Sequence, residues 1–153
     1  MLSIGQPAPI FIAESTQGII ALNEYIGKRP IVLIFYPLDE TPGCTAQLCA
    51  VRDAKEEYAR YNALVVGINP ASVAKHNKFA EHHGFDFPLI YDMGSKINEM
   101  YKVGKMLFGL LPQKRTVYVI GLDGKIAYAH RGSPSTEEIL QAIAHPPGAE
   151  ADE

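Results

Sequence analysis

The sequence predicts an α/β protein: a central mixed β-sheet flanked by helices, with a β-hairpin at its N-terminal edge. Three observations carry that reading. Ile31-Val32-Leu33-Ile34-Phe35 and Leu64-Val65-Val66-Gly67-Ile68 are almost continuously apolar, as strands buried on both faces are. Each precedes a segment rich in helix formers, and strand and helix then alternate at spacings that imply right-handed crossovers and parallel neighbours. Nearer the C-terminus, Leu122-Asp123-Gly124 separates two apolar runs and signals an antiparallel hairpin.

The elements follow in order. Pro7 and Pro9 precede Ile10-Phe11-Ile12, and Gly18 separates these from Ile19-Ile20-Ala21-Leu22, which predicts two short edge strands around a polar turn. Asn23 is placed to cap one helical turn that Gly27 ends. The buried strand 31–36 comes next, then a helix running to about Arg60. Strand 64–69 leads to a helix over 73–83, with Ser72 as its cap and Gly84 as its stop. A third short strand over 88–91 and a short helix over 95–101 follow. Strands 116–120 and 125–129 flank the hairpin turn, and Ser135-Thr136-Glu137-Glu138 is a capping box opening a last helix through Ala144. The Pro-, Gly- and acid-rich tail, about 146–153, is expected to fray.

A chain of 153 residues fits one domain, 1–153, able to bury about two thirds of its unfolded surface. With 47% hydrophobic and 20% charged residues and a net charge of −3, it gives no reason to expect nucleic acid or a membrane as partner. No basic residue precedes Lys28, and no apolar run approaches the roughly 20 residues that span a bilayer. Two cysteines make no disulfide scaffold, so a reducing, cytoplasmic setting is expected, although a processed organellar form fits the same residues.

Chemistry concentrates in residues 36–49, Tyr-Pro-Leu-Asp-Glu-Thr-Pro-Gly-Cys-Thr-Ala-Gln-Leu-Cys. Thr41-Pro42 is a helix start: threonine can cap, and proline suits the first helical position. Cys44 then falls in the first turn, where unpaired N–H groups and the positive end of the helix dipole favour a thiolate. A thiol in water is only about 3% ionised at pH 7, and a helix start supplies about 1–2 kcal/mol towards ionising it, so a nearby cation is needed as well. Arg115, just ahead of strand 116–120, is the candidate, with Lys114 its nearest competitor. Cys49 alone reads as a buried, hydrophobe-like cysteine. On a helix, cysteines five residues apart have Cα atoms roughly 8–9 Å from each other, whereas a disulfide wants about 4.4–6.8 Å. If they pair, the helix must first unwind.

These residues also carry a family resemblance. Pro37, Thr41 and Cys44 match the Pro-x-x-x-Thr-x-x-Cys motif of peroxiredoxins, and the string from Tyr36 through Asp39 to Thr45, with a second cysteine at 49, is similar to the peroxiredoxin Q (bacterioferritin comigratory protein) subfamily. The resemblance implies a thioredoxin-like fold and a thiol peroxidase acting on hydrogen peroxide and organic hydroperoxides. It further implies a peroxidatic Cys44, a resolving Cys49 that forms an intramolecular disulfide, recycling by a thioredoxin- or glutaredoxin-like reductant, no cofactor, and a monomer or weak homodimer. By the same resemblance Arg115 is in the register of the site arginine. Thr41 reads as a helix cap and as a hydroxyl partner for the sulfur or the peroxide, Gly43 as part of the peroxide site, Pro37 as shaping the loop and shielding the sulfur, and Tyr36 as either a core aromatic or a hydroxyl lining the site. Two positions depart from the pattern: Gly67-Ile68-Asn69-Pro70 replaces a Gly-Val-Ser-x-Asp-like turn, and Gly121 stands where an aspartate is usual. Neither is expected to touch the thiol chemistry. Two other readings stay open, a thioredoxin-like disulfide oxidoreductase, which lacks its Cys-x-x-Cys, and a thiol redox sensor or chaperone-like binding protein.

The remaining polar residues read plainly. His76, His82 and His83, with the two cysteines, bring zinc to mind, but finger spacing is absent and no metal is expected. They read as solvated residues on a helix face, and Asp39-Glu40 as a polar loop rather than an acid–base pair. The stretch 104–111, with Met106-Leu107-Phe108, is read as a hydrophobic lid or an association surface.

Overall fold

A computed structural model describes residues 1–106 and 113–146. Strands β1 (Ile12–Ser15), β2 (Gly18–Ala21), β3 (Ile31–Phe35), β4 (Leu64–Asn69), β5 (Leu89–Tyr91), β6 (Thr116–Ile120) and β7 (Ile126–Arg131) form one mixed sheet in the order β2-β1-β5-β4-β3-β6-β7. The parallel triplet β3, β4 and β5 lies at its centre. The two antiparallel hairpins, β1–β2 and β6–β7, flank that triplet. Helices are α1 (Pro42–Asp53), α2 (Lys55–Arg60), α3 (Val73–His83), α4 (Lys96–Met100) and α5 (Thr136–Ala144). No helix among the described residues is long and apolar enough to cross a membrane.

The alternation of side chains along β3 divides the interior into two cores. Ile31, Leu33 and Phe35 face one, closed by Ile97 of α4, by Tyr101 just past that helix and by the N-terminal segment around Phe11. Val32, Ile34 and Tyr36 face the other, under Leu48 and Val51 of α1, Tyr58 of α2, Phe79 of α3 and Ile139 of α5. Cys44 belongs to this second core.

The structure shifts some expected boundaries. The first strand begins at Ile12 because Phe11 turns into the core, its carbonyl accepting from Leu22 N–H at 2.9 Å. The single turn after β2 is 3₁₀, over Leu22–Glu24, and Ala21 rather than Asn23 precedes it. The long helix after β3 starts at Pro42 and breaks at Ala54, whose φ and ψ of −96° and 17° interrupt the helical path and separate α1 from α2. Helix α3 matches its expected limits, with Ser72 Oγ accepting from Lys75 N–H and Gly84 at φ 66°. In α5 half of the capping box forms: Ser135 Oγ accepts from Glu138 N–H, while the Glu138 carboxylate accepts from the Tyr128 hydroxyl instead. Of the stretch 104–111, residues 107–111 lie outside the described residues, as do 147–153 of the tail.

Gly67 is a tight point of the sheet, between Leu89 on β5 and Tyr36 at the end of β3. A Cβ there would meet Leu89 Cδ2 at 2.9 Å and Tyr36 Cε1 at 3.0 Å, and both side chains are fully buried. Gly67→Ala should therefore lose about 1–3 kcal/mol. Urea unfolding should show a lower midpoint at unchanged slope, and an unchanged midpoint would mean that the Tyr36 ring has room to retreat.

Candidate active site

The site is built where β3 ends and α1 begins. Thr41 sits at the N-cap position with an extended backbone, φ −83° and ψ 147°, and its carbonyl accepts from Thr45 N–H at 2.8 Å. Its side chain makes no cap bond, contrary to expectation. The hydroxyl donates instead to the Leu38 carbonyl at 3.1 Å, closing the short turn that carries Glu40 at φ 65°. Cys44 is the third residue of the helix, 1% exposed and unpaired, in the turn whose N–H groups have no intrahelical acceptor. Cys49 is half-buried and also a free thiol, one and a half turns further along the same unbroken helix.

Arg115 lies along this first turn. A Cβ on Gly43 would stand 3.3 Å from Arg115 Nη2, and Arg115 Nη1 donates to Gln47 Oε1 at 2.7 Å. Gly43 and Gln47 are one turn apart, so the guanidinium spans the helix start on which Cys44 sits. The glycine is what admits it so closely. Lys114 is exposed, and its Cε lies about as far as 4.0 Å from where a Cβ of Gly104 would be, so it points elsewhere. Arg115 is set by Gln113, a fully buried residue whose Nε2 donates to the carbonyls of Tyr36 (2.9 Å) and Ile68 (2.6 Å) at the ends of β3 and β4. Its Oε1 accepts from Asn98 Nδ2 at 3.1 Å. Sequence reading missed both glutamines, because neither belongs to a motif or a periodic face.

Pro37 is buried, and a cleft of about 230 Å³ opens beside it, lined also by Leu38, Asp39 and Asn69. A second cleft of about 290 Å³ runs past Gly43 and Gln47 to residues 133–136. The residues foreseen as one pocket are thus divided between separate clefts in this conformation.

Behind the loop lies a buried polar network that the sequence reading did not foresee. Asp39 Oδ1 accepts from the Tyr36 hydroxyl at 2.7 Å and from Asn69 Nδ2 at 3.0 Å, and Asp39 Oδ2 is 2.7 Å from His76 Nδ1. His76 Nε2 is 3.0 Å from the Ile90 carbonyl. A carbonyl can only accept, so Nε2 carries a proton, and a further proton lies between Nδ1 and Oδ2. Burial alone would raise the Asp39 carboxyl, but the hydrogen bond and charge of His76, then Tyr36 and Asn69, outweigh it and hold it below its ordinary value. Burial, with Asp39 adding to it, pushes the Tyr36 hydroxyl well above its ordinary value, so it stays protonated and donates.

Three expectations change accordingly. Asp39 is part of this network rather than of a solvated loop, and His76, fully buried, is not on a solvated face. His76, Phe79 and His83 share one helical side at i, i+3 and i+7, the side that α3 turns inward, and the polar character of histidine hid that stripe. Asn69 touches the site after all, bonding Asp39 and, through Oδ1, Ala71 N–H at 2.9 Å. Gly121 follows the Ile120 end of β6, which pairs with Ile31, the end of β3 opposite the site. Tyr36, read as either a core aromatic or a site hydroxyl, is a core aromatic whose hydroxyl is committed to Asp39.

Leaving a buried hydrogen-bond partner unsatisfied costs about 1–3 kcal/mol, more where a charge is involved, and Asp39→Asn should lose at least that much at neutral pH. Because the Asp39 carboxyl is lowered in the folded state, its contribution is present above the ordinary carboxylate range and disappears as pH falls through the folded value. Denaturant unfolding should therefore show wild type and variant converging in acid. Equal stability at neutral pH would mean that the network contributes nothing net.

Comparison with known proteins agrees with this geometry. A profile described as the AhpC/TSA family matches residues 4–129. The chain is 38% identical over 138 residues to the chloroplastic peroxiredoxin Q of Triticum aestivum, covering 90% of this chain and 63% of that protein. It thus spans a little under two thirds of that plant relative's length. To peroxiredoxin Bcp of Bacillus subtilis (strain 168) it is 35% identical over 147 residues, covering 93% of each. Among solved structures, peroxidoxin BcpB of Mycobacterium tuberculosis superposes with a TM-score of 0.85 at 33% identity, covering 94% of this chain and 97% of that one. A peroxiredoxin Q of Xanthomonas campestris gives 0.79 at 26%, over 88% and 90%. The fold is the thioredoxin-like one that the sequence implied, and the chain belongs to the AhpC/TSA family, with peroxiredoxin Q and Bcp proteins as its relatives.

Proposed function

We propose that the protein is a thiol peroxidase that reduces hydrogen peroxide and organic hydroperoxides through Cys44 and is recycled by a thioredoxin- or glutaredoxin-like dithiol. The observation that carries this reading is the placement of Arg115 along the first turn of α1, against Gly43 and hydrogen-bonded to Gln47, on the helix start that also carries the buried Cys44. Helix dipole, unpaired N–H groups and guanidinium act together on one sulfur.

The Cys44 thiolate attacks one peroxide oxygen, the O–O bond breaks, and the departing oxygen leaves as water or an alcohol after taking a proton. Arg115 and the first-turn N–H groups stabilise the charge that grows on that oxygen. Thr41 shapes the helix entry and Pro37 walls the sulfur from bulk water, while Tyr36 supports the wall through Asp39. Cys44 is left as a sulfenic acid. Cys49 then attacks it, water leaves, and an intramolecular disulfide forms. Neither thiol can reach the other across intact α1, so the helix start unwinds first. Thiol–disulfide exchange with the external dithiol restores both.

Cys44→Ser should remove peroxide turnover in a thioredoxin-coupled assay while leaving the fold intact. Residual turnover above a few per cent of wild type would end the assignment. A protein that is oxidised once and does not turn over would be a sensor instead. Arg115→Ala should slow the peroxide step by on the order of 10²-fold, equivalent to about 2.7 kcal/mol, whereas Lys114→Ala should leave it near wild type. Stopped-flow oxidation of the reduced protein reads both, and the reverse pattern would transfer the role to Lys114.

A further inference from the structure

We propose that Glu40, His82 and His83 form a binding site for a borderline divalent metal ion such as Zn²⁺, clamping the loop ahead of Cys44 to α3. His82 Nδ1 lies 3.1 Å from Glu40 Oε1, and His83 Nε2 lies 3.5 Å from Glu40 Oε2. One ligand atom from each of the three residues falls within 4.8 Å of the other two. Tetrahedral zinc with bonds of about 2.0–2.1 Å holds its ligand atoms about 3.3 Å apart; each imidazole is already about that far from one of the two Glu40 oxygens, and small side-chain rotations would bring a single oxygen and both nitrogens to that spacing.

A second observation points to the same place. His83 Nε2 is enclosed yet makes no hydrogen bond, Glu40 Oε2 standing off at 3.5 Å. The His83 ring has little freedom to find another partner. It stacks on Phe85 with centroids 5.6 Å apart and meets Phe79 edge-on at 5.4 Å. An ion would take up this nitrogen. Two imidazoles and one carboxylate form a donor set that suits zinc, and the three protein ligands leave a fourth position to water. Neighbouring histidines on one helix and a glutamate 42 residues upstream share no sequence signature, which is why spacing alone did not suggest the site.

The clamp has a consequence that rests on the peroxidase reading, whereas the binding itself does not. Glu40 is the residue before the N-cap of α1, and α3 lies outside the segment that must unwind. An ion that binds only the folded arrangement stabilises it by mass action and slows closure of the Cys44–Cys49 disulfide.

The test begins with the full chain carrying Cys44→Ser and Cys49→Ser, which removes thiols as ligands. Zn²⁺ titrated by calorimetry, or in competition with a chromophoric chelator, should bind one equivalent per chain. Loss of an outer-shell partner already costs about 10–100-fold in affinity, so adding His82→Gln or Glu40→Gln should weaken binding by at least about tenfold. No saturable binding, or equal binding in both variants, overturns the site. With both cysteines present, Zn²⁺ should slow disulfide closure after peroxide, and His82→Gln, at an exposed position, should restore the rate. Equal slowing in that variant, or no slowing while the site is filled, overturns the clamp. If no disulfide forms under any condition, the peroxidase reading fails and the titration alone still decides the site.

Discussion

A formed helix start and a closed disulfide exclude each other, and the rest of the site is arranged around that constraint. While α1 begins at Pro42, Cys44 shares its first turn with the dipole's positive end, the unpaired N–H groups and Gly43, against which Arg115 lies. In the same state Cys49 is a half-buried thiol roughly 8–9 Å away at Cα. On the proposed cycle, reactivity needs the helix, and resolution needs its first turns gone. Several features keep the cost of opening low. Thr41 spends its hydroxyl on Leu38 rather than on a cap bond that would add about 1 kcal/mol, and the break at Ala54 separates α1 from α2. Set against them are the burial of Leu48, worth about 1.5–3 kcal/mol, and the Arg115–Gln47 hydrogen bond.

What stays in place during such a motion is equally specific. Asp39, His76, Tyr36 and Asn69, all buried, tie the ends of β3 and β4 and the loop after β3 to the inward side of α3. Gln113 bridges the same two strand ends from the other side and holds the chain that leads into Arg115. The cation therefore belongs to the fixed frame and the sulfur to the part that moves. On the proposed peroxidase cycle, unwinding α1 would carry the sulfur away from the cation at the step when Cys44 acts as an electrophile instead of a nucleophile.

Much of this was legible in the residues alone. Strands β3, β4 and β6 read correctly because apolar runs of five or six residues leave few alternatives, and α3 because Ser72 and Gly84 mark its ends. The Thr41-Pro42-Gly43-Cys44 helix start was visible as local chemistry, whereas Arg115 stood out mainly through the register that the family resemblance implied. Hidden were the residues whose partners are far away in sequence. Asp39 and His76 are separated by 37 positions, and Gln113 and Tyr36 by 77. A polar residue looks solvated until the fold supplies its partner, and no local pattern announces that His76 points inward while its neighbour Lys75 does not.

Amide hydrogen exchange in the reduced and oxidised protein tests the central claim most directly. If α1 opens so that Cys44 and Cys49 can meet, amides of residues 45–51 exchange faster than those of β3 in the reduced state, and faster still once the protein is oxidised. An oxidised protein that keeps those amides as protected as β3 would contradict the account, and the two cysteines would then have to be joined through another molecule.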